Sequence, residues 1–291
     1  MMPLRPIGVM LAVLAMAAPA PAAASTFFEV IKKCPVGGEK FKFLDQGSST
    51  SWGALPDGMP TGSGPYPYRL PQCPKNGLVI YRDFDRPAVA RLTPIVLGAD
   101  YQALRATETP YYLAYWLARK LGDADVAGLL IAAGWEAKND DPESPRARRY
   151  ADELIALVAA MPVDDSSLES IALRARAANA LREKGDFAAA EALRASIKIA
   201  PGAGGTGDDA ADNRMGWAAF LTALSAPIAR SDRSRAPIDM IGEREAATRC
   251  VTPGLYPAQV PPLTEFETAY CARPELAEML ATLRESLRPA K

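Results

Sequence analysis

The chain has 291 residues, a formal net charge of −1 and no histidine. This length allows one large domain or two modest ones, and the near-neutral balance gives no basic field to hold nucleic acid or an anionic membrane. Without histidine there is no Ser-His-Asp triad, no Cys-His pair and no His-ligated metal, so any catalysis falls to carboxylates, lysine, tyrosine or serine.

Residues 1–24 read as a signal peptide. Arg5 is followed by an apolar run from Ile7 to Ala18, and small residues at Ala22 and Ala24 place cleavage after Ala24. The run is too short for a membrane anchor, which needs ~20 apolar residues, and no later segment is apolar enough to span a bilayer. The mature protein is therefore expected to be periplasmic or secreted, with no membrane span. Four cysteines, Cys34, Cys73, Cys250 and Cys271, fit that destination. An even count in an exported chain favours disulfides. Of the three pairings, sequence proximity favours 34–73 and 250–271. One zinc held by all four cysteines is the alternative.

Residues 25–100 are expected to form a small irregular β unit. "EKFKFL" alternates Phe41 and Phe43 with lysines, as in a half-buried strand. "GLVIY" is a second β-like piece, and the Gly-, Pro- and Ser-rich stretch 45–72 between them reads as turns and loop. Residues 101–200 read as helices. Thr109-Pro110 opens one that closes at Gly122, and Asp123 or Asp125 opens the next. Ser144-Pro145 starts a third that stops before Pro162. A fourth ends at Gly185, and a fifth, from Asp186, ends before Pro201. Residues 201–215 read as a linker. The region 216–291 carries one more helix, a proline-rich stretch between Cys250 and Cys271, and a terminal helix entered at Pro274. Within 168–197, Gly185 permits a tight turn, Ala178 and Ala190 permit close approach, and Phe187 fills the corner, as in a tetratricopeptide-type hairpin. The fold class is mainly α: antiparallel tetratricopeptide-like hairpins behind a small N-terminal β unit.

"CPVGG" at 34–38 and "CPKNG" at 73–77 share the pattern Cys-Pro-x-x-Gly. With "YYLAYWLARKLG" and "ALREKGDFAAAEALRASI", they make residues 30–200 resemble an uncharacterised bacterial family that joins a pair of Cys-Pro-x-Cys-Gly zinc-ribbon knuckles to tetratricopeptide-like helices. The resemblance implies architecture and no chemistry. Gly37 and Asn76 stand where each knuckle's second cysteine belongs, so the zinc site is not carried over and the knuckles are degenerate. Facing knuckles would leave Cys34 and Cys73 near disulfide geometry, with Cα atoms ~4.4–6.8 Å apart. Gly38 and Gly77 would supply positive φ at the ends of the turns.

Tyr111, Tyr112, Tyr115 and Trp116 form two aromatic stripes, one for the core and one for a peptide or glycan groove. Arg174, Asn179 and Arg182 are candidates to hold a peptide carboxylate or backbone on a concave helical surface. Against these stand a packed core and a solvated, salt-bridged face. Trp135 reads as a packing residue, and Asp83 and Asp85 as turn formers. "APGAGGTG" lacks the Gly-Lys-Ser/Thr of a phosphate loop, and no cofactor is expected. The sequence favours an exported, non-catalytic helical protein that binds another protein or a cell-envelope component. The alternative is a cell-envelope enzyme, such as a glycan hydrolase, with two acids ~5–9.5 Å apart.

Overall fold

The computed structural model describes residues 25–287; the signal-peptide assignment of residues 1–24 lies outside them. The architecture is mainly α, with short antiparallel strands at the N-terminal end. Strands β1 (Thr26–Lys33) and β2 (Lys40–Ser48) form one two-stranded ribbon. Strands β3 (Ser51–Ala54) and β4 (Pro60–Gly62) form a second, smaller one.

The two Cys-Pro-x-x-Gly turns close the same way. Cys34 N donates to Glu39 O (2.8 Å) and Gly38 N to Cys34 O (3.1 Å); Cys73 N donates to Leu78 O and Gly77 N to Cys73 O (both 2.9 Å). Gly38 and Gly77 have φ of +68° and +74°, a region that β-carbons disfavour. Cys34 and Cys73 are disulfide-bonded with Cα atoms 5.7 Å apart. Asn76, within the second turn, ties the two turns together. Its amide donates to Val36 O at 2.7 Å and accepts from Leu78 N at 2.9 Å. The Sγ atoms of Cys34 and Cys73 and a carboxylate oxygen of Glu39 lie within 4.8 Å of one another, with both sulfurs committed to the disulfide.

Helices α1 (Arg86–Leu97), α2 (Ala99–Arg105) and α3 (Pro110–Leu121) support this pair of turns. Cys34, Val36, Cys73, Leu78 and Val79 share one core with Leu92, Val96, Tyr101, Leu113 and Leu117. Helix α3 is buried on its other side too. There Tyr112 and Tyr115 meet α4 (Val126–Asp140), α5 (Pro145–Ala159) and α6 (Leu168–Lys184) in a second core around Leu130, Tyr150, Leu154 and Leu173. Asp125, Ser144 and Ser167 cap α4, α5 and α6 by accepting backbone N–H bonds. The hairpin of α6 with α7 (Phe187–Ser196) turns at Gly185, whose φ is +89°. Ala178 and Ala190 are fully buried where the two helices cross, against Leu224 of α8 (Asp208–Ala229) and Phe187. Farther on, α9 (Glu243–Leu255), α10 (Glu265–Cys271) and α11 (Ala277–Ser286) pack as a small unit around Val251, Leu276 and Leu280, closed by the Cys250–Cys271 disulfide.

Several boundaries differ from the sequence reading. The 25–100 region contains α1 and the start of α2; Asp85 caps α1 by accepting from Ala88 N, so "YRDFD" is the entry to a helix. Pro94 lies inside α1 and disguised its helical pattern. "GLVIY" makes a single bridge, Gln72 to Val79, while the supposed loop contains β3 and β4. Helix α8 starts at Asp208, inside the expected linker, where Asp208 and Asp209 suit the positive end of the helix dipole. The proline-rich stretch contributes to α9 and α10, with Pro253 in the last turn of α9. Among the described residues no helix is long and apolar enough to cross a membrane.

Candidate functional site

Helices α4, α5 and α6 pack in sequence, and where they face one another their side chains are small: Gly134, Ala147, Ala151 and Ala180. Two joined cavities result, sharing Lys138 and three of those alanines. The outer one is a cleft of about 290 Å³, open between Pro142, Arg148, Lys184 and Arg233. The inner one is about 30 Å³, lined by Trp135, Tyr150, Leu154, Arg176 and Asn179 and closed by Asp57.

Lys138 sits at the junction. Its ammonium lies 2.7 Å from Asp57 Oδ2 and 2.8 Å from Glu183 Oε2. Glu183 accepts from Asn179 Nδ2 at 2.7 Å, and Asn179 Oδ1 accepts from Arg182 Nε and Nη2 at 3.0 and 2.9 Å. Arg182 then donates to the carbonyls of Asp232 and Ser234 at 2.6 and 2.8 Å. A continuous polar chain thus runs from the β3–β4 turn through the helical body to the loop after α8. Burial pushes the Asp57 carboxyl up, but Lys138 and Arg235 outweigh it and hold it below the usual carboxylate range. Burial likewise pushes the Lys138 ammonium down, and Glu183 and Asp57 reverse that. Asp57 and Lys138 are therefore both charged at neutral pH.

The turn is gripped by more than its carboxylate. Asp57 O accepts from Arg176 Nη1 at 2.8 Å and from Trp135 Nε1 at 3.2 Å. Arg235 Nε approaches Asp57 Oδ2 to 3.5 Å, without hydrogen-bond geometry. Gly58 has φ +85°, and a β-carbon there would lie 1.3 Å from Arg176 Nη1. Glycine is required here by the backbone conformation and by the close guanidinium alike.

The seven residues singled out from sequence do not form one ligand surface. Tyr112 is stacked on Tyr150 at 4.4 Å, and its hydroxyl donates to Glu153. Tyr115 is buried beside it and accepts from Arg119. Trp116 packs near Tyr101 in the other core, and Tyr111 donates to Tyr68 O. Both aromatic stripes of α3 are covered because the helix lies between two cores. Arg174 is buried, bonded to Asp165 and Ser196. Asn179 and Arg182 are fully buried members of the polar chain, with Asn179 also lining the inner cavity. Trp135 packs as expected and also binds Asp57 O. Sequence reasoning missed Asp57, Lys138, Arg176 and Arg235. The available signals were the Asp-Gly turn in "LPDGM" and the lysine one turn beyond Gly134, the one cation of α4. No family model, curated protein or solved structure matches the chain.

Proposed function

We propose that the protein is an exported, non-catalytic binding protein, and that the cleft between α4, α5 and α6 receives its ligand, a protein or cell-envelope component. Export rests on the sequence of residues 1–24 and agrees with two disulfides, which persist in oxidising compartments. The observation that carries the reading is that Lys138 engages both Asp57 and Glu183 where the two cavities meet. Glycan hydrolysis by carboxylates needs one protonated acid and one ionised partner facing it across the bond to be broken. Here Asp57 is kept ionised, and Glu183 shares the same ammonium. The buried carboxyl that burial does push up, Glu136, accepts from Tyr111 N at 2.8 Å, and Asp140 lies one turn away on the same helix instead of across a cleft. The outer cleft is lined by four cations, Lys138, Arg148, Lys184 and Arg233, against two acids, Glu143 and Glu183. That balance favours an anionic ligand.

The test is calorimetric titration of residues 25–291 with acidic peptides and with cell-wall glycan fragments, with product analysis alongside. Binding without turnover is expected. Glycan cleavage that disappears in both E183Q and D57N would overturn the reading in favour of the enzyme.

A further inference from the structure

The β3–β4 turn is tied to the helical body in an unusual way. From Gly37 to Gln72 the chain makes a 36-residue excursion in which only Pro56 and Asp57 are buried. The strands that carry this dipeptide have four and three residues and pair only with each other. The Gly- and Ser-rich stretches "GSSTS" at 47–51 and "TGSG" at 61–64 lead from the strand ends into the connections on either side. Other ties reach the hairpin from its edges: Trp52 Nε1 donates to Glu245, Arg244 lies over the Trp52 ring, and Arg235 approaches the Met59 sulfur at 3.0 Å.

At the tip, recognition is dense. Lys138 and Arg235 address the carboxylate, while Arg176 and Trp135 address the backbone carbonyl of the same residue. These groups come from α4, α6 and the loop after α8. Their combination reads a short acidic turn, main chain and side chain together, as a receptor reads a bound peptide. Removing the turn would leave Arg235 without the carboxylate, Arg176 without the carbonyl, and Lys138 with Glu183 alone. It would also open the inner cavity, which shares Lys138, Ala147, Ala151 and Ala180 with the 290 Å³ cleft. Buried cations left unpaired are costly, so the opened site demands another anion in place of the departed one.

We propose that Asp57-Gly58 is an internal occupant of a site built for an acidic turn of a partner protein, and that the β3–β4 hairpin leaves when the partner's Asp-Gly turn enters. This rests on the binding-protein reading above and specifies its ligand and its regulation. The hairpin sets a threshold, because the partner must outcompete a tethered copy of its own recognition element. Tethering gives that copy a high effective concentration.

The probe is a lactam-closed peptide of residues 51–62, Ser-Trp-Gly-Ala-Leu-Pro-Asp-Gly-Met-Pro-Thr-Gly, compared with the same peptide carrying asparagine for the aspartate. It is titrated calorimetrically into residues 25–291 as wild type, Asp57→Asn and Asp57→Asn/Lys138→Met. Circular dichroism and non-reducing peptide mapping confirm that each variant is folded with both disulfides. The expected result is that Asp57→Asn binds the aspartate peptide at least tenfold more tightly than wild type does, with tenfold or greater preference over the asparagine peptide. The double variant is expected to lose this binding. Equal affinity in wild type and Asp57→Asn, or equal affinity for the two peptides, overturns the proposal and leaves the binding-protein reading standing. Glycan turnover overturns that reading instead. Should Asp57→Asn fail to fold, Gly58→Ala expels the turn through its clash with Arg176 and keeps the cradle intact, and the same gain is expected. If neither variant folds, the turn is a structural staple and the proposal fails.

Discussion

The N-terminal unit, residues 25–85, and the helical body that begins at α1 are held by different means. The body buries whole helix faces: Leu113, Leu117, Leu130, Tyr150 and Ile171 are almost inaccessible to solvent. The N-terminal unit leaves Phe27, Phe28, Ile31, Leu44 and Tyr68 exposed. Apart from Val36, Leu78 and Val79, which join the core of α1–α3 beside the Cys34–Cys73 bond, it depends on two matched turns and on the Asp57 contact with the body. A two-stranded ribbon cannot bury enough apolar surface to stand alone, so covalent and charged ties do the work that packing does elsewhere. The difference teaches where motion is cheap. Apolar contacts are many and additive, so the body yields only as a whole, whereas a unit held at a few points is released when one of them is broken.

The largest effect is expected where the two regions meet. Lys138→Met strands the Asp57 and Glu183 carboxylates against each other in a nearly dry site, and should destabilise by about 4 kcal/mol, as for other broken buried pairs. Urea unfolding measures this; a loss under 1 kcal/mol would show that water already fills the junction. Leu117→Ala, inside the body, should cost about 3 kcal/mol through lost burial and the cavity left behind. Its unfolding should remain one transition. The double change Cys34→Ser/Cys73→Ser removes a cross-link closing a loop of roughly 40 residues, worth up to ~4 kcal/mol on the chain-entropy model. Here the loss should be local. Limited proteolysis should cut within 37–72 first, with α3–α8 still protected; simultaneous loss of both regions would erase the contrast between them.

Protonation provides a milder version of the same break. Asp57 titrates below its ordinary value of 3.8 in the folded state, so its contribution to stability is complete above 3.8 and disappears as pH falls through the lower, folded-state value. Trp135, which donates to Asp57 O, serves as the reporter. Wild-type tryptophan fluorescence should show a reversible acid transition below pH 3.8 that Asp57→Asn lacks. An unchanged transition in the variant would assign it to other carboxylates.

The regular parts of this molecule were legible because single residues dictate them. Ser, Thr or Asp before a helix predicted α3 to α5, Gly185 predicted the end of α6 and the α6–α7 turn, and the repeated Cys-Pro-x-x-Gly predicted both the facing turns and the 34–73 bridge. The α1 helix was obscured by Pro94, and β3–β4 by a composition that reads equally well as loop. The cleft was illegible for a different reason. Asp57, Lys138, Arg176 and Arg235 come from four segments, and none of these residues has a local role that its neighbours in sequence reveal. Arg182 illustrates the limit from the other side. It reads from sequence as a candidate ligand residue because arginine forks match carboxylates, yet two loop carbonyls and Asn179 satisfy it in the interior.

The smallest expected effect tests the exposed ribbon. Ile31 is 61% exposed and stands opposite Lys42 on the outer face, beside the Glu29–Leu44 pair. Among the described residues, neither edge of the ribbon has a backbone hydrogen-bond partner outside it. Replacing Ile31 by serine removes a side chain that buries little and lowers β propensity slightly. The melting free energy should therefore change by less than about 0.5 kcal/mol, the range typical of surface substitutions. A loss above about 1.5 kcal/mol would mean that the outer face is covered in solution, and the N-terminal unit would then be stabilised by apolar burial as the helical body is.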